Sequence, residues 1–97
     1  MNGSPSIMAV DDNKKSLELL EAALVSFGYR VVLAGSGKEA LDKAKSEPPD
    51  LVLLDIMMPG LNGYQVAEEL KGDERTRNIP IVMLTALEDT YDRIKAL

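Results

Sequence analysis

Leu51-Val52-Leu53-Leu54-Asp55-Ile56-Met57-Met58-Pro59-Gly60-Leu61-Asn62-Gly63 runs from four apolar residues into one carboxylate and then into a turn rich in Pro and Gly. A short apolar run without polar alternation reads as a strand covered on both faces, as in a parallel sheet packed between helices. Asp55 then stands at the carboxyl end of that strand. Ligands of open α/β sheets bind in the crevice outside the carboxyl ends of the strands, so a carboxylate delivered there is placed for chemistry. The plainer role of such an Asp is to organise the turn by bonding its own backbone beside Pro and Gly. The flanking sequence weighs between the two.

Working back toward the amino terminus, Pro48 and Pro49 stop a helix that carries Ala40, Leu41 and Ala44. Ser36-Gly37-Lys38-Glu39 has the form of a capping box at its start. Arg30 to Ala34 is β-rich and predicts a second strand. Leu17, Leu20, Leu24 and Phe27 recur at helical spacing up to Gly28, which suits the left-handed residue after a helix end. That first helix is capped by Asp12 or Asn13, and the apolar run Ile7 to Val10 before it is a first strand ending in Asp11 and Asp12. In the other direction, Asn62 caps a helix through Tyr64, Val66, Ala67 and Leu70, and Lys71 to Asn78 reads as a charged loop. Pro80 introduces a fourth apolar run, Ile81 to Leu84, which ends in Thr85 and Ala86. Asp89 to Leu97 reads as the start of a fourth helix through Tyr91, Ile94 and Leu97. Strands alternating with helices across short loops imply an α/β fold of parallel βαβ units with right-handed crossovers.

With 97 residues, 45% of them hydrophobic, one domain is the limit. Residues 1–6 read as a flexible leader and 7–97 as the domain. One Phe, three Tyr and no Trp call for an aliphatic core. The net charge of −5 and the scatter of Lys and Arg argue against a direct nucleic-acid surface, which needs a basic stripe. Without Cys or His there is no disulfide, thiolate metal site or imidazole base, so carboxylates and hydroxyls carry the chemistry. No apolar run approaches the roughly 20 residues of a membrane span, and a cytoplasmic protein is expected.

Three strand ends thus present Asp11 with Asp12, Asp55, and Thr85. If their strands are neighbours, the carboxylates converge, and their mutual repulsion raises at least one pKa. A hard divalent cation such as Mg²⁺, which favours carboxylate and carbonyl oxygens, resolves that conflict. Asp55 can then act as a nucleophile toward a phosphoryl group, with Thr85 offering a hydroxyl donor and Ala86 a backbone N–H beside a small side chain. Singly, each feature has a plainer meaning: Asp11 and Asp12 as helix caps, Thr85 as a β-branched strand end.

Asp11-Asp12 after a short strand, Asp55 through Gly63 after an apolar strand, and Thr85-Ala86 after another together resemble the receiver domain of two-component response regulators. The resemblance runs from about Ile7 to Leu97. It implies a flavodoxin-like doubly wound parallel sheet in which Asp55 accepts a phosphoryl group from a histidine kinase or phosphotransfer protein. It further implies Mg²⁺ (or Mn²⁺) held by Asp12, Asp55 and the Met57 backbone carbonyl, with Asp11 helping directly or through water. Thr85 is the implied switch hydroxyl, with Ala86 beside it. Met57 and Leu87 fall where the family tunes dephosphorylation. Such a domain is a signalling module that assists its own phosphorylation and dephosphorylation, with an output domain expected beyond residue 97.

Receivers have five strands, in the order 2-1-3-4-5, and a fifth helix. This sequence reads as a truncated (βα)4 form without the strand-five Lys that pairs with the phosphoryl group; Lys95, on the expected fourth helix, does not substitute for it. An apolar fourth strand left at the edge invites a homodimer or swapped association. The alternative function is therefore an interaction or dimerisation unit that is not phosphorylated. A haloacid dehalogenase-type phosphotransferase would need a second Asp where Met57 stands, and a flavin-binding relative would find its phosphate repelled by Asp11 and Asp12.

Overall fold

The computed structural model describes residues 3–84. Its elements are β1 (Ser6–Val10), α1 (Lys14–Ser26), β2 (Arg30–Ala34), α2 (Gly37–Ser46), β3 (Leu51–Asp55), α3 (Gly63–Lys71) and β4 (Ile81–Leu84). Each strand is one of the apolar runs, and each begins within a residue of its expected place. β1 starts at Ser6 because Asp50 holds it from two sides. The Ser6 N–H donates to Asp50 Oδ2 at 2.7 Å, and the Ser6 carbonyl accepts from the Asp50 N–H at 2.8 Å. Pro5 is engaged as well, its carbonyl accepting from the Arg30 N–H at 2.9 Å.

The strands form one parallel sheet in the order β2-β1-β3-β4, so the first strand lies inside the sheet and the chain winds outward in both directions. This is the doubly wound arrangement expected, within the four strands described. Right-handed crossovers put α1 on one face and α2 with α3 on the other, because the walk reverses direction after β2. Strand alternation matches. Met8, Val10, Val52 and Leu54 face α2 and α3 and bury against Ala40, Leu41, Ala44, Val66 and Leu70. Ile7 and Ala9 are buried outside that cluster, as is Leu17 of α1. Leu51 and Leu53, on the α1 face of β3, are only half-buried, so the two faces of this strand are not covered equally.

Gly28 takes φ +89°, the left-handed conformation its place after α1 requires. Phe27 departs from the expected apolar stripe. It is the C-cap residue and is 77% exposed, because the helical period carries the stripe inward only as far as Leu24. In α2, Ser36 Oγ accepts from the Glu39 N–H at 3.1 Å, but the reciprocal half of the capping box is absent. Glu39 instead reaches past Ser36 to the Gly35 N–H. A complete capping box does form at α3, between Asn62 and Gln65.

Lys71 to Asn78 is charged, as expected, yet it hides Thr76, which is fully buried and donates its hydroxyl to the Leu70 carbonyl at 2.7 Å. Lys71 Nζ closes the same turn by donating to the Arg77 and Ile79 carbonyls. The expected fourth helix, together with Thr85, Ala86, Leu87, Tyr91 and Lys95, lies outside the described residues.

Candidate functional site

β1 and β3 are hydrogen-bonded neighbours with Val10 in register with Leu54, so Asp11 and Asp55 occupy the next matched positions at the carboxyl end of the sheet. The sequence separates them by nearly half of the chain; the register puts them side by side. Asp55 is the last residue of β3, paired with Leu84, and the Ile56 N–H continues the ladder to the Leu84 carbonyl at 3.1 Å. On the other side, the Asp11 N–H donates to the Ala34 carbonyl at 3.1 Å. One carboxylate oxygen each from Asp11, Asp12 and Asp55 lies within 4.8 Å of the others.

The three differ in burial. Asp55 is 7% exposed, Asp11 is half-buried and Asp12 is open to solvent. Burial pushes the Asp55 carboxyl above the ordinary carboxylate range, and the negative charges of Asp11 and Asp12 push the same way. The Met57 N–H, donating to Asp55 Oδ1 at 3.2 Å, opposes the shift and fixes the carboxylate's orientation. The helix cap falls to Asn13, whose Oδ1 accepts from the Ser16 N–H at 3.0 Å, so Asp12 is left to the cluster. Asp11 in turn accepts from the Asn13 N–H at 2.9 Å. Three clustered carboxylates, one of them buried, with no Lys or Arg bridging them among the described residues, fit a hard divalent cation.

The loop from β3 to α3 forms the rim. Met57 is exposed, whereas Met58 turns inward, 7% exposed, and joins the core cluster. Met58 is a core residue although it lies on the loop, because a loop crossing the end of the sheet must cover the apolar layer beneath it. Ile56, Met57, Met58, Pro59, Asn62 and Tyr64 line a shallow cleft of about 500 Å³ beside Asp55.

Gly63, the first residue of α3, presses directly on the end of β3. A Cβ there would stand 2.5 Å from the Asp55 carbonyl oxygen and 2.8 Å from Ile56 Cα. That contact was hidden in the sequence, where Gly63 reads as one more turn residue. Thr85 and Ala86 lie outside the described residues, although β4 ends immediately before them beside Asp55.

This fold and acidic site have known counterparts. A family model described as the response regulator receiver domain matches residues 7–97. The response regulator PleD of Caulobacter vibrioides is 46% identical over 94 residues, 97% of this chain and 21% of that protein. Among solved structures, the N-terminal domain of a response regulator receiver protein from Methanoculleus marisnigri JR1 is 38% identical with a TM-score of 0.82, over 96% of this chain and 79% of that one. The receiver domain of sensor histidine kinase PA1611 from Pseudomonas aeruginosa PAO1, solved with a magnesium ion coordinated in the active site cleft, is 36% identical with a TM-score of 0.83. It is matched over 95% of this chain and 75% of that one. The chain belongs to the response regulator receiver domain family, a family of signalling domains that accept a phosphoryl group. It spans about a fifth of the length of the PleD relative.

Proposed function

We propose that this chain is the phosphoacceptor module of a two-component response regulator and that Asp55 receives the phosphoryl group. The observation that carries the reading is the convergence of Asp11, Asp12 and Asp55 within 4.8 Å at the carboxyl ends of two adjacent strands. Asp11, Asp12 and Asp55, with the Met57 carbonyl, would hold Mg²⁺ or Mn²⁺. When bound, the cation offsets the clustered negative charge and the charge that develops on the phosphoryl oxygens.

The phosphoryl donor is a histidine kinase or a phosphotransfer protein. A carboxylate oxygen of Asp55 attacks phosphorus, the bond to the donor's imidazole nitrogen breaks, and the electron pair leaves with the imidazole. The product is an acyl phosphate on Asp55. The Met57 N–H holds the carboxylate plane during attack, and burial strips water from the nucleophile. Thr85 supplies a hydroxyl and Ala86 a backbone N–H to the phosphoryl group, and movement of Thr85 relays the signal along β4. Receiving phosphate from such a donor is a cytoplasmic role for the domain, residues 7–97.

The test is the intact mass of the chain after incubation with acetyl phosphate and Mg²⁺. One phosphoryl adduct is expected, absent from Asp55→Asn and from a chelator-treated sample. A folded chain that takes no adduct, or an Asp55→Asn variant that still does, refutes the assignment.

A further inference from the structure

One peptide group joins the acidic cluster to helix α2. The carbonyl of Ala34 accepts the Asp11 N–H at 3.1 Å, and the N–H of Gly35 donates to Glu39 Oε1 at 2.6 Å. Ala34 C=O and Gly35 N–H belong to the same planar amide, so the two bonds leave its opposite edges. We propose that Glu39 is a positioning residue for the acidic cluster, acting on Asp11 through the Ala34–Gly35 peptide group. The inference rests on the reading of Asp11 as part of a cation site.

A hydrogen bond of 2.6 Å to an ionised carboxylate belongs to the short, charge-assisted class. Glu39 is held below the ordinary carboxylate range, first by the Gly35 N–H and then by Lys43, so it carries its charge at neutral pH. A charge accepting at one edge of an amide polarises it and makes the carbonyl at the other edge a better acceptor. Lys43, one turn farther along α2, steadies the arrangement. Its Nζ lies 3.1 Å from Glu39 Oε2 and donates to the Leu33 carbonyl at 2.7 Å. Two successive peptide groups at the end of β2 are therefore gripped by side chains from one helix.

The grip matters because β2 is an outer strand of the described sheet, paired on one side only, by β1. Val10 and Ala34 are the last matched pair, and Asp11 lies one residue beyond them. A strand end with one neighbour frays, and Asp11 would fray with it. A side chain that only caps α2 would bond the Ser36 N–H and complete the capping box; Glu39 passes that donor by and takes Gly35.

The test compares Glu39→Ala, Glu39→Gln and Ser36→Ala in the full chain. Ser36→Ala removes the Oγ that caps the same helix end without touching the Ala34–Gly35 amide. Two quantities are read: hydrogen exchange of the Asp11 amide in metal-free protein, and affinity for Mn²⁺. Loss of an outer hydrogen bond to a ligand costs about 10- to 100-fold in metal affinity when it contacts the ligand directly, and one peptide farther out about 3- to 10-fold is expected for Glu39→Ala. Its Asp11 amide should exchange about tenfold faster, the loss expected for one weakened hydrogen bond. Gln, which keeps an acceptor oxygen but not the charge, should recover part of each loss, and Ser36→Ala should lower thermal stability while leaving both in place. Equal Asp11 exchange in Glu39→Ala and Ser36→Ala would overturn the proposal. So would a Gln variant whose Asp11 amide exchanges as fast as in Ala, since an acceptor oxygen at the Gly35 N–H would then contribute nothing. If the unmodified chain binds no Mn²⁺, the cation reading fails by itself, while the Asp11 exchange rates still decide the role of Glu39.

Discussion

Gly63→Ala adds one methyl group against the backbone of the proposed phosphoacceptor. The new Cβ would lie 2.5 Å from the Asp55 carbonyl oxygen, 2.8 Å from Ile56 Cα and 3.1 Å from the Asp55 carbonyl carbon. Comfortable contacts begin near 3.5 Å, so the shortfall is about 1 Å at the worst point. No flexible side chain can yield, because every atom met is main chain. The strand end is held by β1 and β4, and α3 is anchored by Val66 and Leu70, both fully buried. Separation also stretches the bond from the Gly63 N–H to the Ile56 carbonyl, now 3.0 Å.

Overpacking of this kind costs about 1–3 kcal/mol, offset by less than about 1 kcal/mol of helix propensity gained. A net loss of roughly 1–2 kcal/mol lowers the thermal midpoint of a domain this size by about 4–16 °C. The displaced backbone is that of Asp55, and misplacement of a reacting group by about 1 Å can cost on the order of 100-fold, so phosphorylation should fall along with stability. Urea unfolding followed by circular dichroism, with adduct formation from acetyl phosphate on the folded variant, measures both. Gly72→Ala is the control, since a Cβ there meets nothing closer than 3.5 Å and φ is −84°. It should be neutral or stabilising by up to about 1 kcal/mol. A Gly63→Ala variant with an unchanged midpoint and an unchanged adduct rate would refute the close-approach argument.

Asp55→Asn should stabilise the metal-free domain at pH 7. Like charges about 5 Å apart repel by about 1 kcal/mol in bulk water and about 3 kcal/mol at an effective dielectric of 20. The sign with pH follows from the raised carboxyl: the folded chain holds the Asp55 proton more tightly than the unfolded chain, so stability falls as pH rises from the ordinary carboxylate range through the raised value. Thermal scans in chelator should show this slope as a difference from Asp55→Asn, and a constant difference between pH 4 and 7 would contradict it. Thr76→Val leaves the Leu70 carbonyl without its 2.7 Å partner and should cost about 1–3 kcal/mol in urea unfolding. Asn62→Ala removes the side-chain half of the α3 capping box, the acceptor for the Gln65 N–H, and should cost about 1–2 kcal/mol in the same assay.

The strands were legible because each is a short apolar run bounded by turn formers, and β2 falls on Arg30 to Ala34 as expected. Placing Asp11, Asp12 and Asp55 at strand ends needed only that reading. Their convergence needed β1 beside β3, and strand order is not written in periodicity; it came from the family resemblance. What stayed hidden were choices between near-equivalent partners. The spacing of Ser36 and Glu39 announces a helix start, but whether Glu39 takes the Ser36 or the Gly35 N–H depends on where β2 ends. Thr76 lies in a charged stretch, and its burial arises from the fold of the turn over Leu70. Met58 and Phe27 went opposite ways, one inward and one outward, because loop and helix-end residues escape the period that sorts their neighbours.

The place of β1 inside the sheet also shapes how the chain emerges from a ribosome. Ser6 is made first among the sheet residues, yet its partners at Asp50 come 44 residues later. At about 5–20 residues per second, β1 waits on the order of 2–9 s for that side to be synthesised. During that interval Ile7 to Val10 is an apolar strand with an unpaired edge, open to other nascent chains. Slowing synthesis between β2 and β3 would lengthen this exposure, and speeding it would shorten it, without altering one contact of the finished domain.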